Sequence, residues 1–318
     1  NVIVGQTPDG EPIRLLGESV LNGTILMILA TCTISTFATQ RGAHNIAIKG
    51  VRENDEHQDE HILIPVSNEE SVRELVTLGN VLKSKKNHNG FYALHAIDNK
   101  VEDSGLEKRA RKILETAAAA SDIYLHELLR YDVNISNAIA SVVKEQSITD
   151  IVMGLHRDKS PAIFLGKITG DLLGESNVTT YIYKPVQPLA TIKRHIVIIP
   201  SQAEKEAGFL MWLHKIGNLA RNTGTKIVVY APETTLKYIE PLRRKQTATV
   251  ETVLFKDWEK LRELRTDDCL WLVMSRRERI SYQPAMNKIP AYLDQYLGRN
   301  SFVLIYPVQA GDPESRYL

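Results

Sequence analysis

The sequence contains very little cysteine and almost no net charge. Only Cys32 and Cys269 occur among its 318 residues, and neither belongs to a CxxC pair. A disulfide framework and a zinc site are therefore not expected, and the composition suits a reducing cytosol. Because 39 basic residues balance 38 acidic ones, leaving a net charge of +1, we also predict no nucleic-acid partner.

The beginning of the chain lacks both an initiator methionine and the basic segment that opens a signal peptide. We therefore expect a chain that starts at Asn1 to be a fragment or a processed product. The length suggests about two domains. The composition, 43% hydrophobic and 24% charged, is that of a globular protein with a substantial core.

One long segment, residues 19–40, has no charged residue at all: SVLNGTILMILATCTISTFATQ. Its length would allow it to cross a bilayer, which takes about 20 residues. Its many small and hydroxylated residues suit a helix packed among other membrane helices. Arg41, Lys49 and Arg52 follow and would place that end in the cytoplasm. The alternative is a buried amphipathic helix of a soluble dimer. The acidic residues 52–60 then predict a solvated linker.

After the linker, short apolar runs alternate with helical patterns, which predicts βαβ units and a mostly parallel sheet covered on both faces. The first five predicted strands are residues 61–66, 91–97, 122–129, 150–155 and 179–186. Helices are predicted between them at residues 69–86, 106–120, 135–146 and 166–175.

The second part of the chain repeats this pattern. HIVIIPSQAE at 195–204 resembles HILIPVSNEE at 61–70, and FVLIYPVQ at 302–309 resembles YIYKPVQ at 181–187. Such matches predict a tandem repeat. Its remaining strands are predicted at residues 225–231, 248–255 and 269–275, with helices at 205–222, 233–245 and 284–297.

Five strands with interposed helices, a proline near the end of the first strand and a glycine loop after the fourth resemble the universal stress protein domain. That resemblance implies two tandem flavodoxin-like α/β domains with mostly parallel five-stranded sheets, at residues 61–188 and 189–318. It also implies binding of ATP, ADP or AMP as the possible cofactor. Since the family's last strands mediate dimer contacts, it implies that YIYKPV and FVLIYPV pair the two halves as an internal pseudo-dimer.

The charge-free segment carries a second resemblance. ESVLNGTILMILATCTISTFATQRGAHNIA is similar to the end of the last transmembrane helix of bacterial monovalent cation:proton antiporters. This implies that residues 1–51 hold that helix and a juxtamembrane segment, preceding the linker and both domains. It further implies a bacterial inner-membrane protein, cytoplasmic from about residue 41, whose partners are the antiporter's membrane domain and a second copy of the chain.

The family's phosphate loop, written GxxGx9G[ST], is only partly present. Gly154 matches the first glycine, Arg157 stands at the second, and Gly166 follows one residue early with Lys167 in place of the hydroxyl. Ser67 occupies the place of the family's aspartate. Unpaired amides at a helix start favour anions, and glycines let the backbone approach them. The candidate anion or nucleotide site therefore comprises Ser67, Asn68, Ala96, Gly154, His156, Arg157, Gly166, Lys167 and Thr169.

The alternative is a tight turn and a helix start joined by a solvated basic loop. The second repeat has no glycine after its fourth strand, so no such site is expected there. Its Arg276, Arg277 and Arg279 predict a charged surface. No catalytic motif occurs, and we do not expect an enzyme.

The function favoured by these observations is a cytoplasmic regulatory domain of a Na⁺ or K⁺/proton antiporter that senses an adenine nucleotide or another anion. A ligand-free dimerisation scaffold of the transporter is one alternative. A freestanding nucleotide-binding stress protein is the other.

Overall fold

The computed structural model describes residues 3–6, 8–9, 12–14, 20, 22–35, 60–99, 105–155, 165–243, 250–255, 264–276, 279–289, 293 and 298–309. The chain divides into two compact units, Asn1–Gln58 and Asp59–Leu318. His156, Arg157 and Arg277, named above, lie outside the described residues.

The first unit contains an antiparallel strand pair and a helix. Strands β1 (Ile3–Gln6) and β2 (Pro12–Arg14) pair with each other, and helix α1 covers residues 22–35. Leu26 and Ile34 of α1 are 68% and 67% exposed. Within the described part of the chain, no helix combines the length and the apolar character that crossing a bilayer requires. A membrane-spanning helix over residues 19–40 is therefore not shown and stays a prediction.

The second unit is built on one ten-stranded sheet, and all ten strands predicted from the sequence are present. The order across the sheet is β10-β9-β8-β11-β12-β7-β6-β3-β4-β5. The strands of the first half are β3 (Ile62–Pro65), β4 (Phe91–Asp98), β5 (Leu125–Asp132), β6 (Asp150–Gly154) and β7 (Thr179–Lys184). Those of the second half are β8 (Arg194–Ile198), β9 (Lys226–Ala231), β10 (Val250–Leu254), β11 (Asp268–Val273) and β12 (Ser301–Tyr306).

The two halves join through one antiparallel strand pair, whereas every other pair in the sheet is parallel. In this pair of β7 and β12, Ile182 lies opposite Leu304 and Tyr181 opposite Ile305. The expected pairing of the two final strands is thus confirmed. The expectation of separate five-stranded sheets is corrected, because this pairing makes the two sets of strands one continuous sheet.

The helices cover both faces of the sheet. They are α2 (Glu69–Leu82), α3 (Leu106–Ala120), α4 (Ile135–Glu145), α5 (Lys167–Glu175), α6 (Phe209–Thr223) and α7 (Glu233–Arg243). Alternate strand residues point to opposite faces. Ile62 and Ile64 lie in the core shared with α2, α3, α6 and α7, and Leu63 lies in the core shared with α4 and α5.

Within the predicted helix 284–297, a short 3₁₀ helix, Pro284–Lys288, lies on the face that carries α4 and α5. Helix α6 begins four residues later than predicted, because a 3₁₀ turn, Ala203–Lys205, and the N-cap Gly208 precede it. Strand β5 begins three residues later than predicted. Along the chain, the connection from the first half to the second runs from β7 to β8, and the predicted domain boundary at residues 188–189 stays a prediction.

Three largely buried charged groups connect the two halves. Lys215 of α6 forms ion pairs with Glu60, which precedes β3, and with Asp150 of β6, 3.1 Å away. Glu60 also accepts hydrogen bonds from the Ser84 amide (2.9 Å) and from Asn87 Nδ2 (2.7 Å). Desolvation raises the pKa of Asp150 despite the attraction of Lys215. Although desolvation opposes it, the two carboxylates raise the pKa of Lys215. Glu60, Asp150 and Lys215 are called the buried charge network below.

Candidate anion-binding site

The predicted site residues that the structure describes lie near the carboxyl ends of the parallel strands of the first half, called the ligand edge of that half. Strand β3 is flanked by β4 on one side and β6 on the other. In open parallel sheets, ligands bind at such a point, beyond the carboxyl ends of the strands. Ser67 and Asn68 follow β3, Ala96 lies near the end of β4, and Gly154 ends β6. Helix α5 begins at this edge, because it returns the chain to β7, which is parallel to β6.

Gly166 is the N-cap of α5 and has φ 70° and ψ 159°. Only glycine adopts this combination of angles without marked strain. Among the described residues, no side chain caps the helix start, and the first turn of α5 contains no acidic residue. The first amides of any helix have no partner within it, and the helix dipole makes that end positive. The start of α5 is therefore suited to an anion, with the exposed Lys167 as its first helical residue.

Thr169 lies in this first turn and is completely buried. Its hydroxyl has no hydrogen-bond partner among the described residues. A buried polar group left unpaired costs about 1–3 kcal/mol, so such groups are rare and each needs an explanation. A ligand oxygen at the start of α5 would give this hydroxyl its missing partner.

Gly154 is not required by the packing around it. Its φ is not positive, and a Cβ added there would lie 3.7 and 3.9 Å from the two methyl carbons of Leu75, which is ordinary van der Waals contact. An alanine would fit as far as the fold is concerned. The lack of a side chain at this position leaves room above the end of β6.

The start of α2, in contrast, is already occupied by its own cap. Asn68 Oδ1 accepts hydrogen bonds from the Ser71 amide (2.9 Å) and the Ser71 hydroxyl (2.7 Å). Glu69 and Glu70 make the first turn acidic, which complements the helix dipole and opposes an anion. The structure thus gives Asn68 a capping role, while Ser67 beside it is exposed.

One residue that the sequence analysis did not include in the candidate site lies next to Ala96. His95 of β4 is half-buried, and its Nδ1 has no partner within the described part of the chain. Desolvation lowers the pKa of this imidazole, although a backbone hydrogen bond with Val66 opposes the shift. A neutral ring is therefore expected at this edge. Only the polarity of a histidine near the end of a strand could have indicated it.

At the corresponding edge of the second half, Arg276 corrects the expectation of a charged surface. It is only 9% exposed, and its Nη1 donates hydrogen bonds to the carbonyl oxygens of Leu173 and Ser176. These carbonyls lie at the end of α5, where a positive charge complements the helix dipole. A residue of the second half thus holds the helix whose start forms the candidate site of the first half.

Comparison with solved structures decides the fold. A universal stress protein from Archaeoglobus fulgidus DSM 4304 superposes with a TM-score of 0.52 at 14% identity, over 80% of this chain and 98% of that one. The fold is that of the universal stress proteins. A putative universal stress protein from Pseudomonas aeruginosa UCBPP-PA14 has a TM-score of 0.46 at 11% identity, over 78% of this chain and 93% of that one. No protein-family model matches the chain, and no curated protein is similar to it in sequence.

The likeness to the Archaeoglobus universal stress protein includes both halves, because it covers most of this chain and nearly all of the other. At 14% identity it shows the fold alone. The tandem arrangement of universal stress protein halves is therefore shared, whereas any ligand must be argued from this chain's own residues.

Proposed function

We propose that the first half binds an adenine nucleotide, or another phosphate-bearing anion, at the start of α5. The observation that carries the proposal is the helix start at Gly166, which no described side chain caps, together with the buried hydroxyl of Thr169, which has no partner among the described residues. The resemblance to universal stress proteins, whose loop binds nucleotide phosphates, supports it.

The binding differs from that of the family. Because α2 begins with its own cap and two glutamates, it offers no second anion site at this edge. The anion would therefore contact α5 alone. Lys167 stands where the family has its hydroxyl residue, and the hydroxyl of Thr169 lies two residues further into the helix. We therefore expect one phosphate group to contribute most of the affinity, with a strong dependence on salt.

The test is thermal unfolding of the full chain with ATP, ADP, AMP and sulfate, followed by titration calorimetry. A ligand at 100 times its Kd should add about 2.7 kcal/mol to the free energy of unfolding. Thr169→Val should remove most of this gain, because it replaces the hydroxyl by a methyl of similar size. Thr77→Val, a helical threonine in α2, is the matched control. No stabilisation by any of the four anions would refute the proposal and favour a ligand-free scaffold.

We further propose that this module belongs to a cation:proton antiporter and shifts it between transport states. The resemblance of residues 18–47 to the antiporters' last helix supports this, and so do the exposed apolar side chains of α1, including Leu26, Met27 and Leu29. A surface of that kind favours lipid or other membrane helices as its surroundings. Sequencing the gene upstream of residue 1 tests the proposal, which fails if the reading frame encodes no further hydrophobic helices.

Dimerisation of the chain is also a proposal. Because β7 and β12 already pair within the chain, their backbone groups are not available for pairing with a second copy. A second copy would have to bind at another surface. Light scattering of the purified chain at several concentrations tests whether a dimer forms. A single monomer mass throughout would contradict it.

A further inference from the structure

The second half contains a cavity at the place where the first half has its candidate anion site. It lies beyond the carboxyl ends of β8, β9 and β11, where β8 is flanked by the other two strands. Its volume is about 210 Å³. Of the twelve described residues that line it, ten are apolar and none carries a charge. It thus occupies the position at which open α/β sheets bind ligands, but with a different chemistry.

Among the described residues, few groups in the cavity could bind a phosphate. The backbone amides of the residues that follow the strands are already used: Ile199 donates to Tyr230, Phe255 to Ala231 and Met274 to Ile305. Pro200 and Pro232 in the lining have no amide hydrogen at all. An ionised ligand would therefore lose its hydration without gaining partners.

The cavity has a cover and one polar corner. Gln283 Nε2 donates a 2.6 Å hydrogen bond to the Ser201 hydroxyl, and both side chains line the cavity. Residues 281–289, which contribute Gln283 and Met286 to the lining, are called the covering segment. Glu206 holds this segment in place, because its carboxylate accepts hydrogen bonds from the amide (3.1 Å) and hydroxyl (2.8 Å) of Ser281. Beside Ser201, Gln202 has φ 65°, a left-handed conformation that is uncommon outside glycine and concentrates at binding sites.

We infer that this cavity binds an uncharged, mainly apolar ligand of about one ring, with a single hydroxyl or amide directed at Ser201 and Gln283. Its volume is smaller than the roughly 300–1,000 Å³ of drug-sized pockets, which leaves no room for a whole nucleotide. It is larger than an apolar cavity of about 150 Å³ known to hold benzene. The second half therefore recognises a ligand different from that of the first.

The test is ¹H–¹³C methyl NMR of the full chain with p-cresol, indole and cyclohexanol as probes, and AMP for contrast. We expect p-cresol or indole to shift the methyl signals of Ile198 and Met286 and to show NOEs to them, and AMP to leave them unchanged. Failure of all three neutral probes at millimolar concentration overturns the inference.

Two alanines on 3₁₀ helices provide a matched pair of variants. Ala285 lines the cavity but is solvent-exposed, whereas the exposed Ala190 does not line it. Ala285→Phe should weaken probe binding at least 10-fold, and Ala190→Phe should leave it unchanged. Equal binding by both variants contradicts the inference. Because Thr169→Val is expected to reduce nucleotide binding alone, this result is independent of the proposed function.

Discussion

The two halves share one pattern of strands and helices but differ at the edge where ligands would bind. Beyond β3 and β6, the first half has Gly154 and the uncapped start of α5. Beyond β8 and β11, the second half has Pro200, a covering segment and a buried Arg276. The difference lies mainly in the residues that follow the strands, while the strands themselves are apolar and largely buried in both halves.

The part that both halves retain lies in the helices at the centre. A Gly-Asn pair occurs in α2 as Gly79-Asn80 and in α6 as Gly217-Asn218. Asn80 Nδ2 donates to the carbonyl of Ala120 at the end of α3 (3.2 Å), and Asn218 Nδ2 to that of Leu82 at the end of α2 (2.9 Å). Each asparagine thus bonds to the last turn of the neighbouring helix. The repeat thus preserves the Gly-Asn pair, but Asn80 bonds within the first half, whereas Asn218 bonds across to the other half.

The largest expected loss of stability comes from removing the cation of the buried charge network. Lys215→Met would leave Glu60 and Asp150 buried without a cation, which should cost about 3–5 kcal/mol. The free energy of unfolding, measured in urea, checks this. Lys226→Met is the control, because the Lys226–Glu251 pair is exposed and should change stability by less than about 0.5 kcal/mol. A similar small loss for both variants would show that Lys215 does not join the halves.

The next effect concerns histidines that look equivalent in the two repeats. His61 precedes β3 and is half-buried, whereas His195 lies within β8, fully buried, and accepts a 3.0 Å hydrogen bond from Trp271 Nε1. Desolvation lowers the pKa of His195 from 6.5 to about 4. The unfolded chain then binds the proton more readily. Stability present above pH 6.5 should therefore fall as the pH drops, by about 3 kcal/mol near pH 4.

The free energy of unfolding, measured in urea between pH 7 and pH 4, gives this loss together with the contributions of all other titrating groups. The control is His195→Gln, which keeps an acceptor for the indole and cannot take up a proton in this range. Its stability should fall less steeply with acidification. Parallel profiles for the two proteins would exclude His195 as the source.

A smaller effect is expected where Arg276 of the second half contacts the helix of the candidate site in the first half. Arg276→Met removes the hydrogen bonds to Leu173 and Ser176, leaving buried carbonyls unpaired at a cost of about 2–3 kcal/mol. Because α5 also forms the candidate site, the variant should bind the anion more weakly. Calorimetry with the nucleotide that binds the wild type tests this. Unchanged affinity in a folded Arg276→Met protein would show that the second half does not support the site.

The smallest effects separate two glycines of the first half. Gly166→Ala should cost about 1–2 kcal/mol, because its φ of 70° strains any other residue. Gly154→Ala should change stability by less than about 0.5 kcal/mol, since a methyl fits there. Chemical unfolding distinguishes the two. If Gly154→Ala nevertheless reduces anion binding, that glycine serves the ligand and not the fold.

The strands could be predicted because each is a short apolar run between helical patterns, and all ten are present. The buried charges could not. Lys215 and Arg276 resemble surface residues in the sequence, since their partners Glu60, Asp150 and Leu173 lie far away along the chain. The same limit applies to the cavity, which is formed where the predicted helix 284–297 was expected simply to pack on the sheet.

Sequence reasoning predicted Gly166 and Thr169 as members of the candidate site, because glycine spacing and a nearby hydroxyl are visible in a single segment, and their part in binding stays a prediction. It placed Asn68 among the ligand-binding residues, whereas the structure shows it capping α2. A cap and a ligand-binding amide look alike in sequence, and only the 2.9 Å hydrogen bond to Ser71 distinguishes them.

The antiparallel pairing of β7 with β12 has a consequence for how the protein responds to dilution. Two separate chains joined by such a strand pair would dissociate as their concentration fell. Here the short connection from Lys184 to Arg194 keeps the partners at a fixed, high effective concentration. The pairing of the two halves is therefore independent of how much of the protein a cell makes.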